Sequence, residues 1–182
     1  MSDSISGFHL YAPSTVAVGE SFSLGIKVLT SPFIAETGCY APIPGVKGRY
    51  NVSPRGIQYM DNVPAYWDGT VRIDGGPHYQ GPTAVNFAEG SGPYSNDRRP
   101  IRRIDNLAFT QPGTHFITVI DPTNELRALS NPIRVTNDPA EEKLWWGDLH
   151  CQTFFSDGLR CPEELYYFAR DEAFLDIFAL SD

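Results

Sequence analysis

The sequence has 182 residues, 41% hydrophobic and 20% charged, a balance typical of a globular chain that buries a core. Its formal net charge of −8 disfavours nucleic acid and anionic membranes as partners, because their phosphates would be repelled. Three cysteines without a C-x-x-C pair, an N-terminus without a leader pattern and the absence of a long apolar run predict a reduced, cytoplasmic protein.

The first part of the chain shows the alternation typical of β-strands. Residues 21–29 place Phe22, Leu24, Ile26 and Val28 on one face, so we expect these side chains in the core. Further short strands are predicted between turn residues, at 69–76, 84–90, 102–109, 113–121 and 131–137. Residues 1–137 therefore predict an all-β sandwich of the immunoglobulin or fibronectin kind.

Two stretches of this β-part have other predicted roles. Residues 30–68 contain five prolines and predict a long loop insertion. Residues 98–103, RRPIRR, hold four arginines. They favour a solvated loop before the next strand, and the alternative is a site for an anionic substrate group.

After an acidic linker at 138–143 the pattern changes. Residues 144–149 predict an apolar strand and residues 174–180 a strand buried on both faces. Between them, Pro162 fits the first position of a helix, and the two glutamates that follow suit its dipole. The buried stripe of this helix is expected to contain Leu165, Phe168, Ala169 and Ala173. Residues 144–182 thus predict one β-α-β unit of a parallel α/β domain.

The stretch WWGDLHCQTFFSDG, residues 145–158, is a candidate metal site. Residues 150 and 152 at the end of a strand point the same way, so His150 and Gln152 can face one pocket. Imidazole and carboxylate ligands suit Zn, Mn or Fe. A divalent ion held there would polarise a phosphoryl oxygen and lower the pKa of a bound water.

This segment resembles the PHP (polymerase and histidinol phosphatase) superfamily, metal-dependent phosphoesterases on a distorted β/α barrel. The family's motifs read roughly D-L-H-x-H-T-x-x-S-D-G, a Pro-Glu-Glu helix start and L-D-x-x-A-x-[TS]-D. The residues that match in order are Asp148, Leu149, His150, Thr153, Ser156, Asp157, Gly158, Pro162, Glu163, Glu164, Ala169, Leu175, Asp176, Ala179, Ser181 and Asp182. The implied fold is a β-sandwich followed by the first β-α-β unit of a PHP-type barrel.

A closer resemblance is to an uncharacterised PHP-like family that has an N-terminal β-domain. Its members carry SNP at the end of that domain, a short acidic link and then WGDLH-x-Q or WGDLH-x-H. Here SNP is residues 130–132, the link contains Glu141 and Glu142, and the motif is residues 146–152. On this resemblance Gln152 is a variant within the family.

The resemblance implies a role for each candidate residue. His150 is implied as a metal ligand and Asp157 as a ligand of a further metal. Asp148 and Asp182 are implied to contact these ligands and not the metal, and Asp148 is implied to orient the imidazole. The amide oxygen of Gln152 can coordinate a hard cation, hold a metal-bound water or contact substrate. The implied cofactor is divalent Mn, Zn or Fe, and the implied substrate is a small anionic or phosphorylated molecule.

Further ligands are expected after Asp182, so residues 144–182 are expected to form only part of a barrel. The rest is expected as a second chain or a further C-terminal segment, and the fragment alone is expected to be inactive with exposed apolar faces. Two alternative functions are predicted for this chain. The first is a metal-dependent hydrolase, a phosphoesterase that contributes part of a metal site. The alternative is a non-catalytic binding or scaffold protein whose β-sandwich is the functional module and whose PHP-like part is degenerate.

The remaining chemically active side chains have structural interpretations. Cys151 is expected to pack in the core, and Cys161 is expected to act as the N-cap of the helix. Trp145 and Trp146 are expected to pack between the domains. The histidines without ligand spacing, which we expect to be structural, are His9, His78 and His115.

Overall fold

The computed structural model describes residues 5–30, 67–88, 101–139, 142–158 and 161–182. Most of the predicted insertion at 30–68, and residues 98–100 of the arginine segment, lie outside them. The described elements are β1 (Ile5–Tyr11), β2 (Thr15–Ala17), β3 (Phe22–Thr30), β4 (Thr70–Asp74), β5 (Tyr79–Gln80), β6 (Ala84–Asn86), β7 (Ile101–Phe109), β8 (Gly113–His115), β9 (Thr118–Asp121), β10 (Leu126–Leu129), β11 (Ile133–Thr136), β12 (Gly147–Cys151), α1 (Pro162–Tyr167), a π-helical turn (Phe168–Glu172) and β13 (Ile177–Leu180).

The described residues of the β-part form three sheets around one core. Two four-stranded antiparallel sheets have the orders β1-β3-β7-β5 and β10-β9-β4-β6. In the third, β11 pairs in parallel with β2 and antiparallel with β8. One hydrophobic cluster takes side chains from all three sheets. This arrangement is β-rich and compatible with the predicted sandwich.

The alternation in β3 is the clearest confirmed prediction. Phe22 is 7% exposed, and Leu24, Ile26 and Val28 are fully buried. They face the core because successive side chains of a strand point to opposite faces, and neighbours β1 and β7 hold β3 in register on both sides. The other predictions that overlap observed strands are 69–76 with β4, 84–90 with β6, 102–109 with β7 and 131–137 with β11.

The predicted strand at 113–121 is wrong in one respect, since it is two strands in different sheets. β8 pairs with β11, whereas β9 pairs with β4 and β10. The chain changes sheets at Ile117, whose backbone N–H donates to Ser130 Oγ at 3.0 Å and whose carbonyl accepts from the Ser130 N–H at 2.8 Å. Side-chain and backbone groups of Ser130 thus replace the ladder bonds at the break.

The described end of the arginine segment lies within β7. Arg102 is 3% exposed, its guanidinium donates to the carbonyl oxygens of Phe87 and Ile101, and it lies 5.1 Å from the centre of the Phe87 ring. Arg103 is exposed and pairs with Asp105 at 3.2 Å. Arg102 and Arg103 therefore support the β-part, because their guanidinium groups bind the protein's own oxygen atoms.

The C-terminal residues form a β-α-β unit in which β12 and β13 are parallel. The strands begin at Gly147 and Ile177, later than predicted. Just before them, hydrogen bonds between Trp146 and Asp176 hold the two segments together. Asp176 Oδ2 accepts the Trp146 N–H at 2.9 Å, and the Trp146 carbonyl accepts the N–H groups of Asp176 and Ile177. A Cβ on Gly147 would lie 2.7 Å from the Ile177 carbonyl oxygen, so the close approach of the two strands needs glycine.

The prediction that residues 174–180 form a strand buried on both faces is wrong. Gly147 to His150 are exposed, and Ile177 is 47% exposed. Within the described ranges β12 and β13 pair only with each other, and Leu149 and Ile177 stay open to solvent while residues 178–180 are half-buried. The expected exposure of apolar faces in this segment is therefore observed.

The helix begins as predicted but its buried stripe is incomplete. Cys161 is the N-cap, and its N–H donates to Glu164 Oε2 at 3.3 Å. Ala169 is buried and Leu165 half-buried, but Phe168 is 46% exposed, contrary to the prediction. The α-helix changes to a π-helical turn at Phe168.

The β-α-β unit rests on the outer face of the β1–β3 pair. The Phe174 ring lies 5.0 Å from the Tyr11 ring, and a Cβ on Gly25 would be 2.7 Å from it. An ion pair of 2.7 Å joins Lys143 to Glu20 and, with the Ala17 N–H, lowers the pKa of that carboxyl.

The two neighbouring tryptophans contribute less to this contact than predicted. Trp146 Nε1 reaches Ser14 Oγ at 3.5 Å, but Trp145 and Trp146 are 58% and 60% exposed. Both rings lie in the segment before β12, and among the described residues little covers them from solvent.

In the described ranges no helix has the length and apolar character that a membrane crossing requires.

Candidate functional site

The candidate site lies where β12 and β13 end side by side. Cys151 is in register with Leu180, and the Ser181 N–H donates to the Cys151 carbonyl at 2.8 Å. Because the strands are parallel, both carboxyl ends reach the same edge. His150 therefore lies beside Ser181, although 31 residues of sequence separate them.

His150 is exposed and held at two points. Its backbone N–H donates to Asp148 Oδ1 at 2.9 Å, and its Nδ1 lies 3.1 Å from Ser181 Oγ. Asp148 thus fixes the main chain at His150, while the contact with the imidazole comes from Ser181. Among the described residues nothing hydrogen-bonds to Nε2 of His150, so this nitrogen is available to a ligand.

Asp182 is bound by three hydrogen bonds from the loop that follows β12. Its Oδ1 accepts the Thr153 N–H at 2.6 Å and the Ser156 hydroxyl at 2.6 Å, and its Oδ2 accepts the Thr153 hydroxyl at 2.7 Å. The Ser156 hydroxyl is the largest of the influences that lower the pKa of Asp182, followed by the Thr153 N–H and hydroxyl. Asp182 therefore ties this loop to the end of β13.

The loop itself is a compact turn, residues 153–158. The fully buried Thr153 is its anchor, since its carbonyl accepts the N–H groups of Ser156 and Gly158 at 3.1 and 2.9 Å. At Gly158 an added Cβ would overlap the Gln152 carbonyl oxygen and lie 2.8 Å from the Thr153 nitrogen. Only glycine fits there, and the turn leaves Asp157 exposed.

The predicted metal ligands lie on β12, directly after it and on the turn that follows. His150 and Asp157 are exposed on β12 and on the turn, and Gln152 between them is half-buried. In the part of the chain that the structure describes, no group of three or more His, Cys, Asp or Glu residues comes together. An imidazole and a carboxylate suit Zn, Mn or Fe, so the donor types fit a divalent ion, but a full set of ligands needs other groups.

The remaining candidate side chains have structural contacts. Half-buried Cys151 has a thiol pKa raised by desolvation and by the charge of Asp148, which disfavours the reactive thiolate. His115 stacks on Phe109 at 4.4 Å and its Nε2 lies 3.0 Å from the Gln111 carbonyl oxygen. The His78 ring lies edge-on to His115 at 6.1 Å. His9, on β1, lies 6.4 Å from the Tyr11 ring.

Three hydroxyl groups of the site have no role predicted from the sequence. Ser181 contacts His150, while Thr153 and Ser156 bind Asp182. The place of Ser181 in the sequence could have indicated its contact. Ser181 directly follows the second of two parallel strands, so it falls at the edge where His150 lies.

Acid should loosen the 153–158 turn. The pKa of Asp182 is below its ordinary value of 3.8 in the folded protein, so its contribution is present above that value and lost as the pH falls through the lowered folded pKa. We expect the Thr153 amide signal in NMR spectra to shift with a midpoint below 3.8. In Asp182→Asn this transition should vanish, and a wild-type midpoint at or above 3.8 would contradict the assignment.

The site is thus formed by the contacts of His150, Asp182 and the 153–158 turn. Comparison with known protein families, curated proteins and solved structures finds no match for this chain.

Proposed function

We propose that this chain contributes part of the metal site of a hydrolase that acts on small phosphorylated substrates, as in the PHP-like family that its last segment resembles. The observation that carries the proposal is the exposed imidazole of His150 at the joined ends of two parallel strands, held through Nδ1 with Nε2 open. Ligands of parallel α/β folds bind at this edge of the sheet. In this proposal the β-part is an immunoglobulin- or fibronectin-like sandwich.

Each residue of the site then has a chemical task. His150 would hold a divalent ion through its imidazole, and Asp157 would offer an exposed carboxylate. Asp182 keeps the 153–158 turn in place through Thr153 and Ser156, which supports Asp157. Bound there, a divalent Mn, Zn or Fe would supply the polarisation of a phosphoryl oxygen and an activated water.

The proposal includes a shared site. The described residues supply fewer than three clustered ligands, and catalytic metals usually have three or more protein ligands. Leu149 of β12 and Ile177 of β13 are also exposed, as expected of strands that other elements cover in a complete barrel. We therefore propose that a second chain or a further segment completes the barrel and adds the missing ligands.

Mn²⁺ should broaden the NMR signals of His150 in the wild-type chain, because even a weakly bound paramagnetic ion relaxes nearby nuclei. In His150→Ala we expect the broadening of Gln152 and Asp157 signals to disappear, since the imidazole ligand is gone. The matched control is His9→Ala, which removes an exposed histidine on β1 and should leave the effect unchanged. Equal broadening in the His150 variant would contradict the proposal.

A non-catalytic binding or scaffold protein is the second candidate. It is favoured by the lack of a three-ligand cluster among the described residues. In that case the β-part is the functional module and the PHP-like part is degenerate. The same titration separates the two, because this candidate predicts that Mn²⁺ leaves the His150 signals of the wild type unaffected.

A further inference from the structure

Most basic side chains that the structure describes are already engaged by the protein itself. Those that form ion pairs with carboxylates are Arg103, Lys143 and Arg170. Those that are buried are Lys27 and Arg102. Within the described ranges no hydrogen bond, ion pair or ring contact engages the exposed side chains of Arg72, Arg127 and Arg134. These three guanidinium groups are therefore available to an external partner.

Two of these arginines, Arg72 on β4 and Arg127 on β10, lie in one row across a sheet. Ile120 of β9 is in register with Arg72 on one side and with Arg127 on the other. Residues in register point to the same face, and here it is the outer face, because Val71 and Ile73 on either side of Arg72 are buried. Two strand spacings separate the arginine Cα atoms, which makes about 10 Å.

The row has cationic ends and an apolar centre. Ile120 is half-buried between the two exposed arginines, and Leu129, two residues after Arg127 on the same face of β10, is 57% exposed. The carboxylates nearest in sequence are Asp74 on β4 and Glu125 in the turn before β10. Arginine beside aliphatic side chains is typical of surfaces that bind proteins, where arginine is enriched and lysine depleted.

We propose that the outer face of β4, β9 and β10 binds an acidic peptide segment of a protein partner, in which two carboxylates about 10 Å apart flank an apolar side chain. Each guanidinium, of Arg72 and of Arg127, holds one carboxylate through two parallel hydrogen bonds, and the apolar side chain lies against Ile120. A single exposed ion pair contributes little, so binding needs both arginines and the apolar contact together.

A short acidic segment fits this face better than a polyanion does. The net charge of −8 repels long arrays of phosphates, which rules against nucleic acid and anionic membrane. A short segment meets mainly the local charges, because charges beyond a screening length of ~8 Å are largely damped at physiological ionic strength. Binding at this face does not depend on the proposed metal site, which lies in the β-α-β unit. It gives the second candidate function, a binding protein whose β-part is the functional module, a class of partner.

The test is an NMR titration of the whole chain with a blocked tetrapeptide of sequence ELGE. Its glutamates are three positions apart, which matches the separation of the arginines in an extended chain. We expect saturable shifts of the Nε–H signals of Arg72 and Arg127 and of the Ile120 methyl signals, with an affinity that falls as NaCl is raised. In Arg72→Ala and in Arg127→Ala we expect an affinity about 5-fold weaker or more, as for an important interface arginine.

Arg134→Ala is the matched control, because it removes another arginine that no described group binds, from β11 in a different sheet, and should leave the affinity unchanged. The peptide KLGK should shift none of these signals. The proposal is overturned if ELGE causes no shift, or if Arg134→Ala weakens binding as much as Arg72→Ala, since net charge alone would then explain it. Equal shifts with inorganic phosphate would overturn it as well, by indicating a site for small anions. None of these results bears on metal binding at His150, so the two proposals fail independently.

Discussion

Gly158→Ala should destabilise the 153–158 turn by about 1–3 kcal/mol, the usual cost of forcing extra atoms into a packed region. The added Cβ would overlap the Gln152 carbonyl oxygen and crowd the Thr153 nitrogen. These are backbone atoms on either side of one peptide bond, so no side-chain rotation relieves the clash. The turn has to open, and its bonds from Gly158 to Thr153 and from Thr153 to Asp182 weaken together.

The measurement is amide hydrogen exchange at residues 153–158, together with thermal unfolding of the whole chain. We expect faster exchange in the turn and a smaller change in the β-part, which does not depend on it. Gly7→Ala is the matched control, because a Cβ at Gly7 meets nothing within 4 Å. Unchanged exchange at Thr153 in the Gly158 variant would show that the turn accommodates the methyl group, contrary to the packing described.

Phe109→Ala should destabilise the β-part by about 3–5 kcal/mol, the range for truncating a buried phenylalanine. Phe109 is fully buried at the end of β7, stacked with Phe22 at 5.8 Å and with His115 at 4.4 Å. Tyr79 adds an edge contact at 6.0 Å. Truncation leaves a cavity between three strands, and domains typically have only ~5–15 kcal/mol of total stability.

Urea unfolding followed by circular dichroism measures this loss as a lower midpoint. The same substitution at Phe155 is the control, because that ring is 72% exposed and its truncation should change stability by less than ~0.5 kcal/mol. If the two variants had the same midpoint, Phe109 could not occupy the described core. A large effect at Phe155 would instead indicate that its ring is covered in solution.

The two variants probe separate parts of the molecule. Phe109 belongs to the core shared by the three sheets, whereas Gly158 belongs to the turn that presents Asp157. If the proposed metal site exists, Gly158→Ala should weaken Mn²⁺ binding near His150 and Asp157 while the β-part remains folded. A change in Mn²⁺ binding in the site variants would therefore not result from unfolding of the β-part.

Local features of the fold were predictable because they depend on neighbours in sequence. Alternation in residues 21–29 identified the core face of β3, since side chains of a strand point to opposite faces. Pro162 and the glutamates after it identified the start of α1, where Cys161 is the N-cap. The β-α-β order of the last segment followed from the length and spacing of its apolar runs.

Exposure and strand breaks were not predictable in the same way. Apolar composition suggested that 174–180 is buried, but burial depends on what covers a strand, and among the described residues β13 pairs only with β12. Residues 113–121 look like one strand, but they form two because each half pairs with a different sheet. Such pairings are made with residues far away in sequence, which periodicity does not identify.

For the site, the sequence by itself determined the residue types and their place at a strand end, namely His150, Gln152 and the turn acid Asp157. Only the tertiary structure decided which groups support them. The Ser181 hydroxyl contacts Nδ1 of His150, 31 residues away in sequence, and Asp182 binds Thr153, 29 residues away. The physical reason is that two parallel strands bring their carboxyl ends together through an intervening helix, and a linear pattern does not specify which side chains then come within hydrogen-bonding distance.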